Sequence, residues 1–109
     1  MEDFFLQWSF KGGRKYGKLI DEEGKYYIGQ FENDIFHGKG KCYSKDGKMH
    51  YDGDFYKGKI EGFGKMFGND GGYYIGELKN GIWNDKGKLY DKNVNLIYEG
   101  EFINGEYNK

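Results

Sequence analysis

Tyr51-Asp52-Gly53-Asp54-Phe55 is followed, six residues beyond Phe55, by Glu61-Gly62-Phe63-Gly64-Lys65, and this pair of blocks decides the fold. The first block returns as Tyr27-Ile28-Gly29-Gln30-Phe31, Tyr74-Ile75-Gly76-Glu77-Leu78 and Tyr98-Glu99-Gly100-Glu101-Phe102, its tyrosines 24, 23 and 24 residues apart. The second returns as His37-Gly38-Lys39-Gly40-Lys41 and Asn84-Asp85-Lys86-Gly87-Lys88. Rings and glycine occupy alternate positions of the first block, so Tyr27, Gly29 and Phe31 share one face of a strand. Asn33-Asp34 supplies a turn, and a second strand runs from Gly38 to about Tyr43 before Asp46-Gly47 turns the chain again. Each copy is then a β-hairpin, and consecutive hairpins form a meander.

Working outward, a degraded first copy reads Phe4-Phe5-Leu6-Gln7-Trp8, then Tyr16-Gly17-Lys18. Lys92-Asn93-Val94-Asn95 replaces the glycine turn after Tyr90, so that turn is expected to be looser. The array spans 1–109, with copies at about 4–26, 27–50, 51–73 and 74–97 and a half copy at 98–109. Glycine within strands weakens them, so its recurrence requires a reason. The reason expected is room for a neighbouring copy's tyrosine to lie flat on the backbone. Two strands per copy at ~4.8 Å each predict a ribbon ~45 Å long, a single layer with one ring-lined face only partly covered.

Composition agrees with this reading. The 109 residues include 20 Gly and 22 aromatic residues, while Ala and Pro are absent. Glycine disfavours helix, and so much aromatic surface disfavours disorder. Seventeen basic against 18 acidic residues give a net charge of −1, unlike a dedicated nucleic-acid binder. The lone Cys42 makes no internal disulfide, the acidic start Met1-Glu2-Asp3 is wrong for a secretory signal, and no stretch approaches the ~20 apolar residues of a membrane helix. A cytoplasmic protein is expected, with membrane or cytoskeletal association through a partner.

The spaced blocks over residues 4–109 resemble the MORN repeat (membrane occupation and recognition nexus), a pattern of Tyr-x-Gly-acidic-aromatic followed by Gly-x-Gly. The resemblance implies an all-β, single-layer antiparallel meander of about four and a half hairpin repeats, forming an elongated curved ribbon. It also implies a scaffold or adaptor that takes a partner's helix or peptide along a groove. Departures fall at Leu6, Lys15 and Asp85, where the pattern has glycine.

Chemical alternatives are weaker. Gly12 to Leu19 spaces like a P-loop, but it ends in Leu19 where Ser or Thr must hold magnesium, and every copy repeats its Gly-Lys. Cys42 shares an apolar column with Leu19, Met66 and Leu89, which reads as a small buried hydrophobe rather than a nucleophile. Acidic pairs such as Asp52/Asp54 and Glu99/Glu101 alternate like a solvated strand face. No enzyme activity, cofactor, metal site or small-molecule substrate is expected.

Two surfaces carry the functional expectation. Trp8, Tyr27, Phe31, Tyr51, Phe55, Tyr74, Leu78, Tyr98 and Phe102 form a stripe predicted to bind a protein partner, because apolar patches rich in rings anchor interfaces. Lys18, Lys41, Lys65 and Lys88 form a ladder whose alternative use is anionic lipid or phosphoinositide headgroups in a peripheral membrane array. Cross-strand acids compete for those lysines.

Overall fold

The structure is a computed structural model that describes residues 5–11 and 14–107, with side chains from Tyr16 onward. Among the described residues, nine strands form one sheet in chain order, each antiparallel to the next. They are β1 (Phe5–Lys11), β2 (Arg14–Ile20), β3 (Tyr26–Glu32), β4 (Ile35–Tyr43), β5 (Met49–Tyr56), β6 (Lys59–Phe67), β7 (Tyr73–Lys79), β8 (Ile82–Tyr90) and β9 (Leu96–Phe102). The second strand of each hairpin thus starts earlier than the glycines suggest, at Ile35 rather than Gly38. The longest extent is 44 Å.

A line of glycines crosses the sheet. Gly17, Gly29, Gly40, Gly53, Gly64, Gly76, Gly87 and Gly100 are successive register partners on β2 to β9. Tyrosine rings explain it. A Cβ on Gly40 would sit 2.3 Å from the Tyr27 ring, and one on Gly64 2.4 Å from the Tyr51 hydroxyl oxygen. The covering ring comes from the same hairpin, not from the neighbouring copy. Each hydroxyl then donates to a backbone oxygen three residues ahead: Tyr27 to Gln30, Tyr51 to Asp54 and Tyr74 to Glu77 at 2.6–2.7 Å, and Tyr98 to Glu101 at 3.1 Å.

This geometry corrects the expectation that the ring-lined face of the single layer is only partly covered. Tyr27, Phe31, Tyr51, Phe55, Tyr74, Leu78 and Phe102 are 0–6% exposed. The rings are sunk into the glycine line on one side. On the other they are covered by second-strand side chains: Phe36 stacks on Tyr27 at 3.9 Å, and Trp83 on Tyr74 at 5.0 Å.

Two kinds of turn alternate. Asn33-Asp34, Lys57-Gly58 and Asn80-Gly81 all have positive φ, the backbone of the tight hairpin turn. Between copies a wider turn places glycine at positive φ: Gly24, Gly47 and Gly71 at 89–93°. At the fourth such turn the expected loosening is absent. Asp91 N–H donates to Asn95 O and Val94 N–H to Asp91 O, both at 3.0 Å, as in the other copies. The conformation is kept and Val94 is forced to φ 66°. A β-branched residue is strained there. Val94 is 63% exposed, so little burial is at stake. Val94→Gly should therefore raise stability by about 0.5–1 kcal/mol, after subtracting the added freedom of glycine in the unfolded chain. A melting temperature at or below the parent's would contradict the strain.

The first hairpin differs from expectation by a register of two. Trp8 pairs with Gly17 and so stands in the glycine line, not in the column of Phe31 where the stripe placed it. Its side chain lies outside the described residues, as do those of Leu6 and Lys15.

Candidate functional site

The sheet has two unlike faces. On the ring face the buried residues are flanked by two half-buried rows. One row is Leu19, Cys42, Met66 and Leu89; the other is Phe36, Ile60 and Trp83, with Tyr107 following the last strand. The stripe read from sequence is brought together from Tyr27 to Phe102 as a continuous cluster, but as the floor of this face. Tyr98 alone of its described members is half-buried. A depression of 370 Å³ opens between Met66, Tyr74, Trp83 and Leu89.

These half-buried residues follow from the pleat. Register partners share a face, so Tyr27 brings Leu19 and Cys42 to its side, and Tyr74 brings Met66 and Leu89. Phe36, Ile60, Trp83 and Tyr107 each lie five residues past the Phe or Leu that ends the first block. That spacing is the signal the sequence reading passed over.

The opposite face is charged. Lys18, Ile28, Lys41, Asp52, Lys65, Ile75, Lys88 and Glu99 are successive partners from β2 to β9, so the four ladder lysines share one face. Lys18 Nζ lies 4.7 Å over the Tyr26 ring and Lys65 Nζ 4.1 Å over Tyr73. Tyr26 stacks on Tyr43, and Tyr73 on Tyr90, each at 4.8 Å. The cross-strand charge pairs expected are present: Lys39 with Asp54 at 2.5 Å, and Lys88 with Glu99 at 4.0 Å.

Some polar columns hold the array together rather than face a ligand. The register shifts at Gln30, Asp54 and Glu77, where the second strand carries extra residues. The bulge places Gly38 and Gly62 at φ 94° and 114°, and Asp85 at 70° in the same column, a conformation Asp tolerates better than most residues. Gln30 Oε1 accepts from Lys39 N–H at 2.7 Å, and Asp54 Oδ2 from Phe63 N–H at 3.1 Å, closing the bulge. His37 Nδ1 accepts from Lys57 N–H at 3.1 Å, so the histidine column ties one hairpin to the next turn. Beside it, Gly58 N–H donates to Phe36 O, and this bond recurs from Gly81 to Ile60 and from Gly105 to Trp83.

The titration states fit that structural use. Burial pushes the Cys42 thiol up to about 11, so it is protonated at neutral pH and a poor nucleophile. Burial likewise raises the Tyr74 hydroxyl to about 12. Burial opposes ionisation of Asp54, but the bonds from Lys39 and Phe63 N–H outweigh it and hold the carboxyl below its ordinary value. A lowered folded value adds stability above the unfolded pKa of ~3.9 that disappears as pH falls through the folded value. Asp54→Asn keeps an acceptor for Phe63 but loses the charge. It should cost about 1 kcal/mol at pH 7 and progressively less as pH falls through the folded value, compared by urea melts. A difference independent of pH would contradict the charge's role.

Serial hairpins, each with its own ring on its own glycines, define a repeat protein built along one axis. The MORN repeat family model matches residues 27–49, 51–73 and 98–108, and the chain belongs to that family. The stretch between the last two matches contains the copy with Asp85 and Val94 at positive φ, yet β7 and β8 form the same hairpin. No curated protein matches the chain. MORN repeats commonly serve as protein- or membrane-interaction modules and are not an enzymatic family; the chain fits a general binding scaffold. No helix among the described residues is long and apolar enough to cross a membrane.

Proposed function

We propose that the chain is a non-enzymatic scaffold or adaptor that holds a helix or extended segment of a protein partner along its ring face. The array comprises a single domain, 1–109, with copies at about 4–26, 27–50, 51–73 and 74–97 and a half copy from 98. The observation that carries the reading is the pair of half-buried apolar rows flanking a fully packed ring floor. Tyr27, Phe31, Tyr51, Phe55, Tyr74, Leu78 and Phe102 shape that floor. Their burial leaves little surface of their own, so contact falls to Leu19, Met66, Leu89, Phe36, Ile60 and Trp83.

The test is capture of the native partner, identified by mass spectrometry, with Met66→Glu plus Leu89→Glu. These residues border the depression, and central contacts of an interface commonly cost about 2 kcal/mol or more. The variant should lose capture at least tenfold while its thermal melt stays cooperative. Lys41→Glu plus Lys65→Glu, on the other face, should retain it. Retained capture by the Met66/Leu89 variant would overturn the assignment of the ring face.

The shared face of Lys18, Lys41, Lys65 and Lys88 supports a second reading, peripheral attachment to anionic lipid or phosphoinositide headgroups at the cytoplasmic surface of a membrane. Asp52 and Glu99 in the same row weaken it. Vesicles of anionic lipid separate the readings, because lysine-mediated attachment fades between low and high salt whereas apolar contact does not.

A further inference from the structure

The charged face carries its charges strand by strand. Lys39 and Lys41 lie on β4, Asp52 and Asp54 on β5, Lys86 and Lys88 on β8, and Glu99 and Glu101 on β9. The order, positive then negative, is the same in both pairs of strands because the sequence repeats its chemistry at a spacing of 47. Ile28, Lys39, Lys41 and Tyr43 recur as Ile75, Lys86, Lys88 and Tyr90, and Asp52 and Asp54 as Glu99 and Glu101. A spacing of one copy does not preserve it: Ile28 becomes Asp52, and Lys39 becomes Phe63.

Such a pattern is complementary to itself in reverse. A half-turn about an axis parallel to the strands, midway between β6 and β7, lays β4 over β9 of a second copy and β5 over its β8. Lys39 and Lys41 then face Glu101 and Glu99, and Asp52 and Asp54 face Lys88 and Lys86. The symmetry makes every one of these pairings occur twice. At the axis lie Phe63, 55% exposed, and half-buried Ile75, beside a depression of 410 Å³. Lys65 and Glu77 occupy the same two central strands, so the half-turn lays Lys65 over Ile75 and Phe63 over Glu77 of the second copy, and the patch is charged throughout with Phe63 and Ile75 as its apolar contacts.

We propose that the charged face is the interface of a two-fold symmetric dimer of this chain. Six strands at ~4.8 Å and about six residues at ~3.3 Å give a patch of ~600 Å² per copy. The ~1,200 Å² total is at the lower limit of stable interfaces, so the dimer forms and dissociates with concentration. Charge pairs fix its orientation, and salt weakens it. This surface is opposite the ring face, so the dimer leaves the partner groove open.

Sedimentation equilibrium of the intact chain should show a mass rising from 12.7 kDa towards twice that value with concentration. Raising salt from about 50 to 500 mM should weaken association about tenfold. Asp52→Lys and Lys88→Glu should each weaken it at least tenfold, and mixing the two variants should restore it. In the mixture, the introduced lysine of one chain faces the introduced glutamate of the other. The unaltered Lys88 of the first chain likewise faces the unaltered Asp52 of the second. Within one chain these positions lie three strands apart, ~14 Å, so repair on mixing is intermolecular.

Zero-length carbodiimide coupling of the unmodified protein supplies a readout without substitution. Lys41 and Glu99 are five strands apart in one chain, ~24 Å, and should couple only between chains. A parent that stays at 12.7 kDa throughout overturns the dimer, as does a mixture of folded variants that remains monomeric. Coupling at comparable yield with the Lys41–Glu99 link missing overturns the proposed face.

Discussion

Gly64→Ala should remove a large share of the array's stability although it adds a single methyl group. That carbon would lie 2.4 Å from the Tyr51 hydroxyl oxygen and 2.6–2.7 Å from two ring carbons. Tyr51 is 1% exposed and hydrogen-bonded at its tip, so the ring cannot withdraw without opening the core. Overpacking of this kind costs roughly 1–3 kcal/mol, and loss of the ring's contacts adds to it. A total of about 4 kcal/mol is expected, a large share of the ~5–15 kcal/mol that holds a small domain. Gly47→Ala is the matched control: its added carbon meets nothing within 4 Å, and its φ of 91° limits the penalty to about 1–2 kcal/mol. Placing Gly64→Ala in a Tyr51→Leu background should recover part of the loss, measured by urea midpoint. Equal effects at Gly64 and Gly47 would remove the ring from the explanation.

Tyr51→Ala should cost about 3–5 kcal/mol, the range for deleting a buried ring. Phe55→Ala should fall in the same range, because Phe55 is 5% exposed and its ring meets Tyr27, Tyr51 and Phe36 edge-on. Tyr51→Phe isolates the hydroxyl, whose 2.7 Å bond to Asp54 O is worth about 1 kcal/mol. Amide exchange gives the spatial check. Tyr51→Ala should expose the β5–β6 hairpin first, because each ring packs on its own pair of glycines. If β2 and β3 lost protection equally, the hairpins would not be separate packing units. These two residues consequently test the fold and not the groove; Met66 and Leu89 test the groove.

The meander was legible because its signals are local. Alternation, turn pairs such as Asp46-Gly47 and the recurring Gly-Lys each occupy a few residues and repeat in phase. The first hairpin was misplaced by two residues because Leu6 and Lys15 stand where the pattern has glycine, and only pairing with β2 fixes the register. The depth of the stripe was not legible either. Alternation says that Tyr51 and Phe55 share a face, but not that second-strand residues fold over them. Val94 shows a second limit. Its identity argued for a loose turn, while Asp91 retained enough side-chain acceptors, with Oδ1 taking both Asn93 and Asn95 N–H at 2.9 Å, to impose the shared geometry. His37 stands in sequence as a variable position of its repeat column, and only the approach of Lys57 N–H reveals a tie between hairpins.

Those ties have a mechanical consequence. Each strand is antiparallel to its neighbours and adjacent in sequence, so a pull on the C-terminal end loads one pair of backbone bonds at a time. The sheet peels and does not shear. The bonds from Gly58, Gly81 and Gly105 to the preceding hairpin interrupt the peeling once per copy. Tension would therefore release the ribbon in steps of one copy, each of 23 or 24 residues and each letting out up to ~80 Å of chain. A tethered partner would feel a ratchet of yielding segments while the copies not yet peeled kept their rings and their surface.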